Sequence, residues 1–585
     1  MHRNLRQFID LLEREKELAI LSAPVDPYLE IAEIHRRVIE EGGPALLFTN
    51  VKGSSFPVIT NLFGTSRRME LAFGTRPEEL VKHAVGALER LLPPTPLAVW
   101  KEKGLLWELL KVGTKTAASA PILAASRESS PLEGLPALTC WQEDGGPFVS
   151  MPLVYTESPV SGASNLGMYR MQIYDDQTTG MHWQKHKGGG YHYSEAQERG
   201  EALPVTVFLG GPPALIASAV APVPEMLPEI LLASLILGEK IGMAPAPDGG
   251  HRLIAEAEFA IRGKVPPHLR RPEGPFGDPY GYYSLTHDFP VLQVERVYHR
   301  KDAVYPATIV GKPRQEDYYL GEYLQRLLSP TIPLVMPGVR ELWTYAETGF
   351  HPLAAAIVRE SYRREALGHA FRILGEGQLS LTKLLLVTDQ PVRLDRFDEL
   401  LQAVLERFDP EEDLIIITPS SHDTLDDTGH RQSHGSKAIL LGVGEPKRKL
   451  PGDYRGGVIP GIRSAEPYCP GCLVVSGAGY SADPELSERL ATEHGDALAD
   501  WPLVILTEDA AVARDQTAFL WTVFTRFNPA ADLYARTRVE RHHLSYRLPL
   551  VIDARMKPGY PEELFPREDI VKLVGERWKE YFPHV

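Results

Sequence analysis

Four stretches of this chain gather side chains able to do chemistry. SNLGMYRMQ carries Asn165 and Arg170, and GMHWQKHKGGGYHY carries His182, His186 and Lys187. APVPEMLPE ends at Glu229, and PEGPFGDPYGYY carries Glu273 and Asp278. Asn165, His186 and Glu229 offer an amide oxygen, an imidazole and a carboxylate. That mixed, mostly hard set suits Mn2+ or Mg2+ better than a thiolate-seeking metal. A metal with so few protein ligands completes its shell with water or a ligand phosphate. Lys187 and the run Gly188-Gly189-Gly190 add charge and exposed backbone donors, which phosphate binding needs. Taken singly, Asn165 reads as a turn residue, His186 as a surface histidine and Glu229 as a solvated acid at a helix start. Only the set points to chemistry.

Glu273 and Asp278 are separated by a segment containing Gly274, Pro275 and Gly277, a loop able to aim both carboxylates at one point. Beside Arg170 they would form a charged network in which the guanidinium keeps one acid ionised while burial raises the pKa of the other. Such a pair can donate a proton at neutral pH. Spacing alone gives equal weight to a solvated acidic loop. The sequence has no HExxH, GxxxxGK[ST], GxSxG or GxGxxG. His182 and His186, four apart with His192 nearby, would suit a zinc hydrolase if they lay on a helix, but the glycines that follow His186 argue against a helix there. Cys469 and Cys472 form a single CxxC, and Cys140 is the only other cysteine. Three thiols are too few for a disulfide framework, and one CxxC is expected to be a Pro-Gly turn between buried thiols.

The elements that must position these residues are legible in part. Leu5, Phe8, Ile9 and Leu12 are spaced for a helix, as are Ile31, Ile34 and Val38, and Ala45–Phe48 reads as a strand. These open an N-terminal α/β segment over 1–97. Residues 98–136 read as a helical insertion. Over 137–315 short strands alternate with Gly, Pro and Asp turns, predicting a split-β-barrel-like domain interrupted by helices near 191–199 and 227–238. A connector helix is expected over 316–345. A repeat follows: LTKLLLVTDQPVRLDRFDELLQAVLERFDPEEDLIII and ADWPLVILTEDAAVARDQTAFLWTVFTRFNPAADLYA align Leu384 with Leu503, Arg407 with Arg526 and Asp413 with Asp532. The fold class is therefore multidomain α/β and α+β, with a C-terminal α/β domain (346–480) holding the first copy and 481–585 the second copy and tail. The net charge of −15 over 585 residues argues against a duplex nucleic-acid partner. No stretch is apolar and long enough to span a bilayer, and the opening MHRNLRQFID lacks a signal-peptide core, so a cytoplasmic protein is expected.

At these motifs the chain resembles the UbiD family of reversible aromatic acid decarboxylases. LRQFIDLLEREKELAILSAPVDPYLEIAEIHRR, GGPALLF, NLFGT, NLGMYR, MHWQKHKGG, PVPEMLPE, EGPFGDPYGYY, VGKP and GHAFR carry the likeness, across roughly 1–97 and 137–440. The resemblance implies prenylated FMN as cofactor, supplied by a partner prenyltransferase of the UbiX type. It implies Asn165, His186 and Glu229 as ligands of an Mn2+ that ties the flavin phosphate to the protein, often beside K+. Met168, Tyr169, Arg170, His182, Trp183, Gln184, Lys187 and Gly188 match flavin contacts, and Lys383 matches a lysine reaching the phosphate. Arg170, Glu273 and Asp278 match the catalytic acid–arginine–acid network, although some members carry Glu at the position of Asp278. The implied mechanism attaches substrate to the modified isoalloxazine as an electron sink. CO2 leaves, Arg170 having oriented the carboxylate, and Asp278 returns a proton. A quinone-pathway acid, a 4-hydroxy-3-polyprenylbenzoate or a dihydroxynaphthoate, is the expected substrate. A prenylated substrate would place the enzyme peripherally at a membrane. A homo-oligomer, dimer or hexamer, is expected, with the second copy forming the contact between protomers. A metal-dependent hydrolase using His182, His186 and Glu229, or a non-catalytic flavin-binding protein, are the other readings.

Overall fold

The computed structural model describes residues 1–91, 95, 100–183, 188–223, 227–429, 431 and 434–583. They form two units, Met1–Leu327 with Glu563–Val585, and Leu328–Glu562.

The first unit opens with the helix Leu5–Arg14, whose Leu5, Phe8, Ile9 and Leu12 are buried. The Asn4 side chain accepts a hydrogen bond from Gln7 N at 3.0 Å, supplying a partner for an N-terminal amide that the helix itself leaves unpaired. A four-stranded sheet runs Leu18–Leu21, Ala45–Phe48, Val58–Thr60, Tyr305–Pro306. The larger antiparallel sheet runs Thr178–Gly180, His287–His299, Phe259–Val265, Leu203–Leu209, Leu153–Glu157, Ser164–Met168. Its 13-residue strand His287–His299 also pairs with Arg270–Glu273 and Ala125–Arg127. Among the described residues this path does not close into a full barrel.

Two expectations need correction. The segment 98–136 is not simply a helical insertion. The helix is short, Lys103–Leu109, and Thr114–Thr116 and Ala125–Arg127 then join sheets of the first unit. The helix read near 191–199 also starts earlier than expected, since Gly188–Glu198 is helical from its first glycine, while His182 lies outside it. The physical reason is crowding. A Cβ on Gly188 would lie 2.0 Å from Asn165 Oδ1, and one on Gly189 would lie 2.7 Å from Trp183 Nε1. Close packing therefore requires glycine there, and it outweighs the helix-propensity cost of roughly 1 kcal/mol per glycine.

The second unit holds two five-stranded sheets of one topology. The first runs Val339–Thr344, Leu353–Val358, Leu384–Thr388, Gly435–Gly442, Leu414–Ser420. The second runs Ser464–Cys469, Cys472–Ser476, Leu503–Thr507, His543–Asp553, Leu533–Glu540. Each has two parallel pairings flanked by antiparallel edges. Even the polar fastenings repeat. The Asp413 carboxylate accepts from Asp409 N at 2.9 Å, and that of Asp532 from Asn528 N at 2.7 Å. The duplicated unit is longer than its sequence signal, and the second sheet begins at Ser464, ahead of the boundary read at 481. The CxxC lies in its first hairpin, with Cys469 opposite Cys472, both free and buried. The copies pack on each other: the Phe397 and Phe524 rings meet edge to face at 5.6 Å, and Phe397 N donates to Gln516 Oε1 at 2.9 Å. That face of the second copy packs within the chain.

The block read as 481–585 also divides. Its final stretch belongs to the first unit, where the helix Glu568–Tyr581 packs against Glu30–Glu40. Arg577 and Tyr581 both engage the Glu30 carboxylate, and Ile570, Val574 and Tyr581 enter the core. The apolar helix Glu229–Leu237 has nine residues, and no helix among those described is long and apolar enough to cross a membrane.

Candidate active site

Arg170 follows the strand Ser164–Met168, and Glu273 ends the strand Arg270–Glu273. Arg170 Nε donates to Glu273 Oε1 at 2.9 Å, Nη1 to Asp278 Oδ1, and Nη2 to Ser284 Oγ at 3.0 Å. His182 Nδ1 meets the other Glu273 oxygen at 2.7 Å. The guanidinium carbon lies 4.7 Å from the centre of the Phe276 ring, and the His182 ring lies 4.2 Å from that of Phe289. Glu273 is 0% and Asp278 5% exposed, so these charges interact with little screening by water.

Burial and partners push the two acids apart. Burial opposes ionisation of Glu273, but Arg170 and His182 overcome it and hold its pKa down to about 2. Asp278 lies above its ordinary value because burial outweighs the pull of Arg170 and His182. His182 is lowered, first by burial and then by Arg170, with Glu273 opposing. The cluster thus sets an ionised acid and a cation beside a second acid that is easier to protonate than a free aspartate.

The second group of residues lies about the strand Ser164–Met168. Leu166 N donates to Glu229 Oε2 at 2.9 Å, which sets that carboxylate beside the residue following Asn165. Tyr169 Oη accepts from Asn165 Nδ2 at 3.4 Å and from Gly189 N at 3.3 Å. The buried Trp183 Nε1 has no hydrogen-bond partner among the described residues, and it faces the glycine start of the helix Gly188–Glu198. An unsatisfied indole donor, a glycine-lined helix start and an amide–carboxylate pair fit a phosphate-bearing cofactor fastened by a hard cation. Lys383 lies in the second unit, 1% exposed, with Nζ 2.7 Å from Asp426 Oδ2. Burial lowers its pKa against the pull of Asp426.

Three family signatures match in order: the N-terminal domain of 3-octaprenyl-4-hydroxybenzoate carboxy-lyase over residues 9–88, its Rift-related domain over 114–313 and its C-terminal domain over 318–442. A protein of Chlamydia pneumoniae, named as a component of 4-hydroxybenzoate decarboxylase, is 49% identical over 586 residues, covering 99% of this chain and 98% of its own. The chain belongs to the UbiD family. It is accordingly an enzyme of the carboxy-lyase class. An uncharacterised protein of Chlamydia trachomatis is 50% identical over 584 residues, 99% of this chain and 100% of the relative. Among solved structures, vanillic acid decarboxylase of Sedimentibacter hydroxybenzoicus in closed form superposes with a TM-score of 0.68 at 22% identity, covering 79% of this chain and 96% of that one. The UbiD-class enzyme HmfF of Pelotomaculum thermopropionicum, in an evolved dimeric form complexed with prFMN, gives 0.62 at 23% identity, covering 79% and 98%. At such identities these two report the shared fold. The Rift-related match begins at Thr114, inside the segment read as an insertion.

Of the residues singled out in this UbiD chain, the structure brings Arg170, Glu273, Asp278 and His182 into one cluster. It gathers Asn165, Tyr169, Trp183, Gly188 and Glu229 into another, with Met168 half-buried at the end of the intervening strand. Gln184, His186 and Lys187 lie outside the described residues. Sequence reading missed Ser284, whose Oγ accepts from both Arg170 and Phe276 N, and Gln172, which accepts from Gly274 N at 2.9 Å. It also missed Asp426 as the partner of Lys383. No spacing rule links these positions. They meet only through the sheet register and long loops.

Proposed function

We propose that this enzyme decarboxylates an aromatic or conjugated carboxylic acid with prenylated FMN held through Mn2+, and that Asp278 is the proton donor. The observation that carries the reading is the divided acid pair on Arg170: one carboxyl held ionised, the other raised. Asn165, His186 and Glu229 would bind Mn2+ (or Mg2+), with K+ as a second ion. Met168, Tyr169, Trp183, Gln184, Lys187, Gly188 and Lys383 would hold the flavin and its phosphate. When bound, the prenylated flavin supplies the electron sink for loss of CO2. Arg170 binds the substrate carboxylate, and Glu273 keeps Arg170 charged and oriented. The C–CO2 bond breaks with its electron pair left on carbon. The Asp278 carboxyl proton then passes to that carbon, and the aspartate regains a proton from solvent. His182, held at Nδ1 by Glu273, is a positioning group in this reading.

The substrate is a 4-hydroxy-3-polyprenylbenzoate or a dihydroxynaphthoate. The descriptions of the matching family domains and the name of the Chlamydia pneumoniae relative support a hydroxybenzoate type. A UbiX-type prenyltransferase would supply the cofactor, the enzyme would work as a homo-oligomer in the cytoplasm, and a prenylated substrate would bring it to the membrane surface. Co-expression with a flavin prenyltransferase, followed by absorption and mass spectra of the purified protein, tests the cofactor. A protein that carries metal but never a modified flavin would end this reading in favour of the hydrolase. Turnover of the candidate acids, followed as CO2 release, then assigns the substrate.

A further inference from the structure

Asp278 sits in a glycine-containing hairpin turn that other segments fasten on both flanks. Gly274 and Gly281 take positive φ of 97° and 81°, and Gly277 faces Trp141, where a Cβ would lie 2.1 Å from the indole. Inside the loop, Asp278 N donates to Tyr282 O at 3.0 Å and Gly281 N to Asp278 O at 2.9 Å. One flank is fastened by the turn around Asp144, whose Oδ1 accepts from Gly277 N at 2.9 Å, while Gly145 N donates to Pro275 O at 2.8 Å. The other flank is fastened from the far end of the sequence. Leu564 N donates to Gly281 O at 3.0 Å, and Tyr282 and Glu563 form an antiparallel bridge. Leu564 is 2% exposed and shares a core with Trp141 and Tyr283. The segment lies beyond residue 442, where the family match ends.

We infer that the returning segment around Leu564 is a strap that positions Asp278, so that the end of this chain is part of its proton-delivery machinery. The inference rests on the reading of Asp278 as donor. The strap is well placed for this work because its anchor is independent of the loop. The helix Glu568–Tyr581 is held by Ile570 and Val574 in the core and by Arg577 and Tyr581 on Glu30. A glycine-containing loop loses much conformational entropy on ordering, and a backbone bond on each flank removes the freedom that would let the carboxyl drift from Arg170. Misplacement of a catalytic group by about 1 Å can cost up to ~100-fold in rate without touching the reacting atoms.

The test is Leu564→Pro, which deletes the N–H that reaches Gly281 and leaves the helix anchor alone. In the cofactor-free protein the amides of 277–284 are expected to exchange with deuterium about tenfold faster or more, while those of 568–581 keep their protection. In the holoenzyme kcat is expected to fall ~10–100-fold with KM changed less than about threefold. Unchanged loop exchange, or unchanged kcat, overturns the strap. Should Leu564→Pro not fold, Val574→Ala loosens the anchor instead. Faster exchange of loop and helix together supports the strap, and a helix that opens while the loop stays protected overturns it. Asp278→Asn separates the two claims. If that variant still turns over, the donor reading fails whatever the exchange data say. If it is dead while Leu564→Pro leaves the loop protected, only the strap fails.

Discussion

Two buried arginines in this chain are wired differently. Arg555 gives Nε and Nη2 to the two oxygens of one acid, Asp553, at 2.9 and 2.6 Å, and Nη1 to the carbonyls of Ala478 and Asp483 at 2.8 Å each. Ser487 Oγ donates to the same carboxylate at 2.6 Å, and both ion-pair partners are 0% exposed. Burial opposes ionisation of Asp553, but Arg555, the charge of Lys557 and Ser487 together hold it below its ordinary pKa. Arg170 is instead shared between two acids, and Glu273 also takes His182, leaving Asp278 a single edge of the fork. Burial outweighs the pull of that edge and of His182, so Asp278 ends up above its ordinary value. The lesson is one of counting. A bidentate fork on one acid locks its charge, whereas a fork divided between two leaves one carboxyl able to hold and release a proton.

Four changes sharpen or break that contrast. The largest effect is expected from Asp278→Asn, which should lower kcat by at least ~100-fold, since a positioned general acid contributes about 10²–10⁴. Its thermal midpoint should hardly move, and an active variant would erase the distinction between the two arginines. Asp553→Asn should do the reverse, because it leaves Arg555 buried and poorly paired. Urea unfolding should show a loss of about 3–5 kcal/mol, with kcat per folded molecule unchanged. Glu273→Gln tests the ionised half of the divided pair. Its folded pKa of about 2 lies below the ordinary 4.5, so its stabilisation is present above about pH 4.5 and is lost as pH falls toward 2. The wild type should therefore lose up to ~3 kcal/mol more than Glu273→Gln between about pH 5 and pH 2, measured by urea unfolding at each pH. The last change is Gly188→Ala, whose methyl would meet Asn165 Oδ1. On the proposed cofactor reading it should cut metal and flavin retention, read by metal analysis and absorbance, while the Arg170 cluster and its pH behaviour stay intact.

Much of the candidate site was legible because short motifs carry it. NLGMYR and EGPFGDPYGYY named Arg170, Glu273 and Asp278, and the family likeness supplied their order. Helical and strand periodicity located Leu5–Arg14 and Ala45–Phe48, and the Arg-Phe-x-Pro turns exposed the repeat. The start of the helix at Gly188 was missed because propensity is local, while the crowding by Asn165 and Trp183 that requires glycine comes from other segments. The supposed insertion was misread because strands as short as Thr114–Thr116 and Ala125–Arg127 have no periodicity of their own and exist only as partners of Ile241–Ala244 and His287–His299.

The sequence by itself determined which groups could do chemistry, their membership in a known class of carboxy-lyase, and the duplication of an α/β unit. These depend on residue type and local order, which a linear string records completely. Only the tertiary structure decided that Arg170 divides its fork between two acids while Arg555 gives its own to one, and that Leu564 closes on the loop of Asp278. Those facts are set by distances and desolvation between segments far apart in the chain, and no local pattern encodes them.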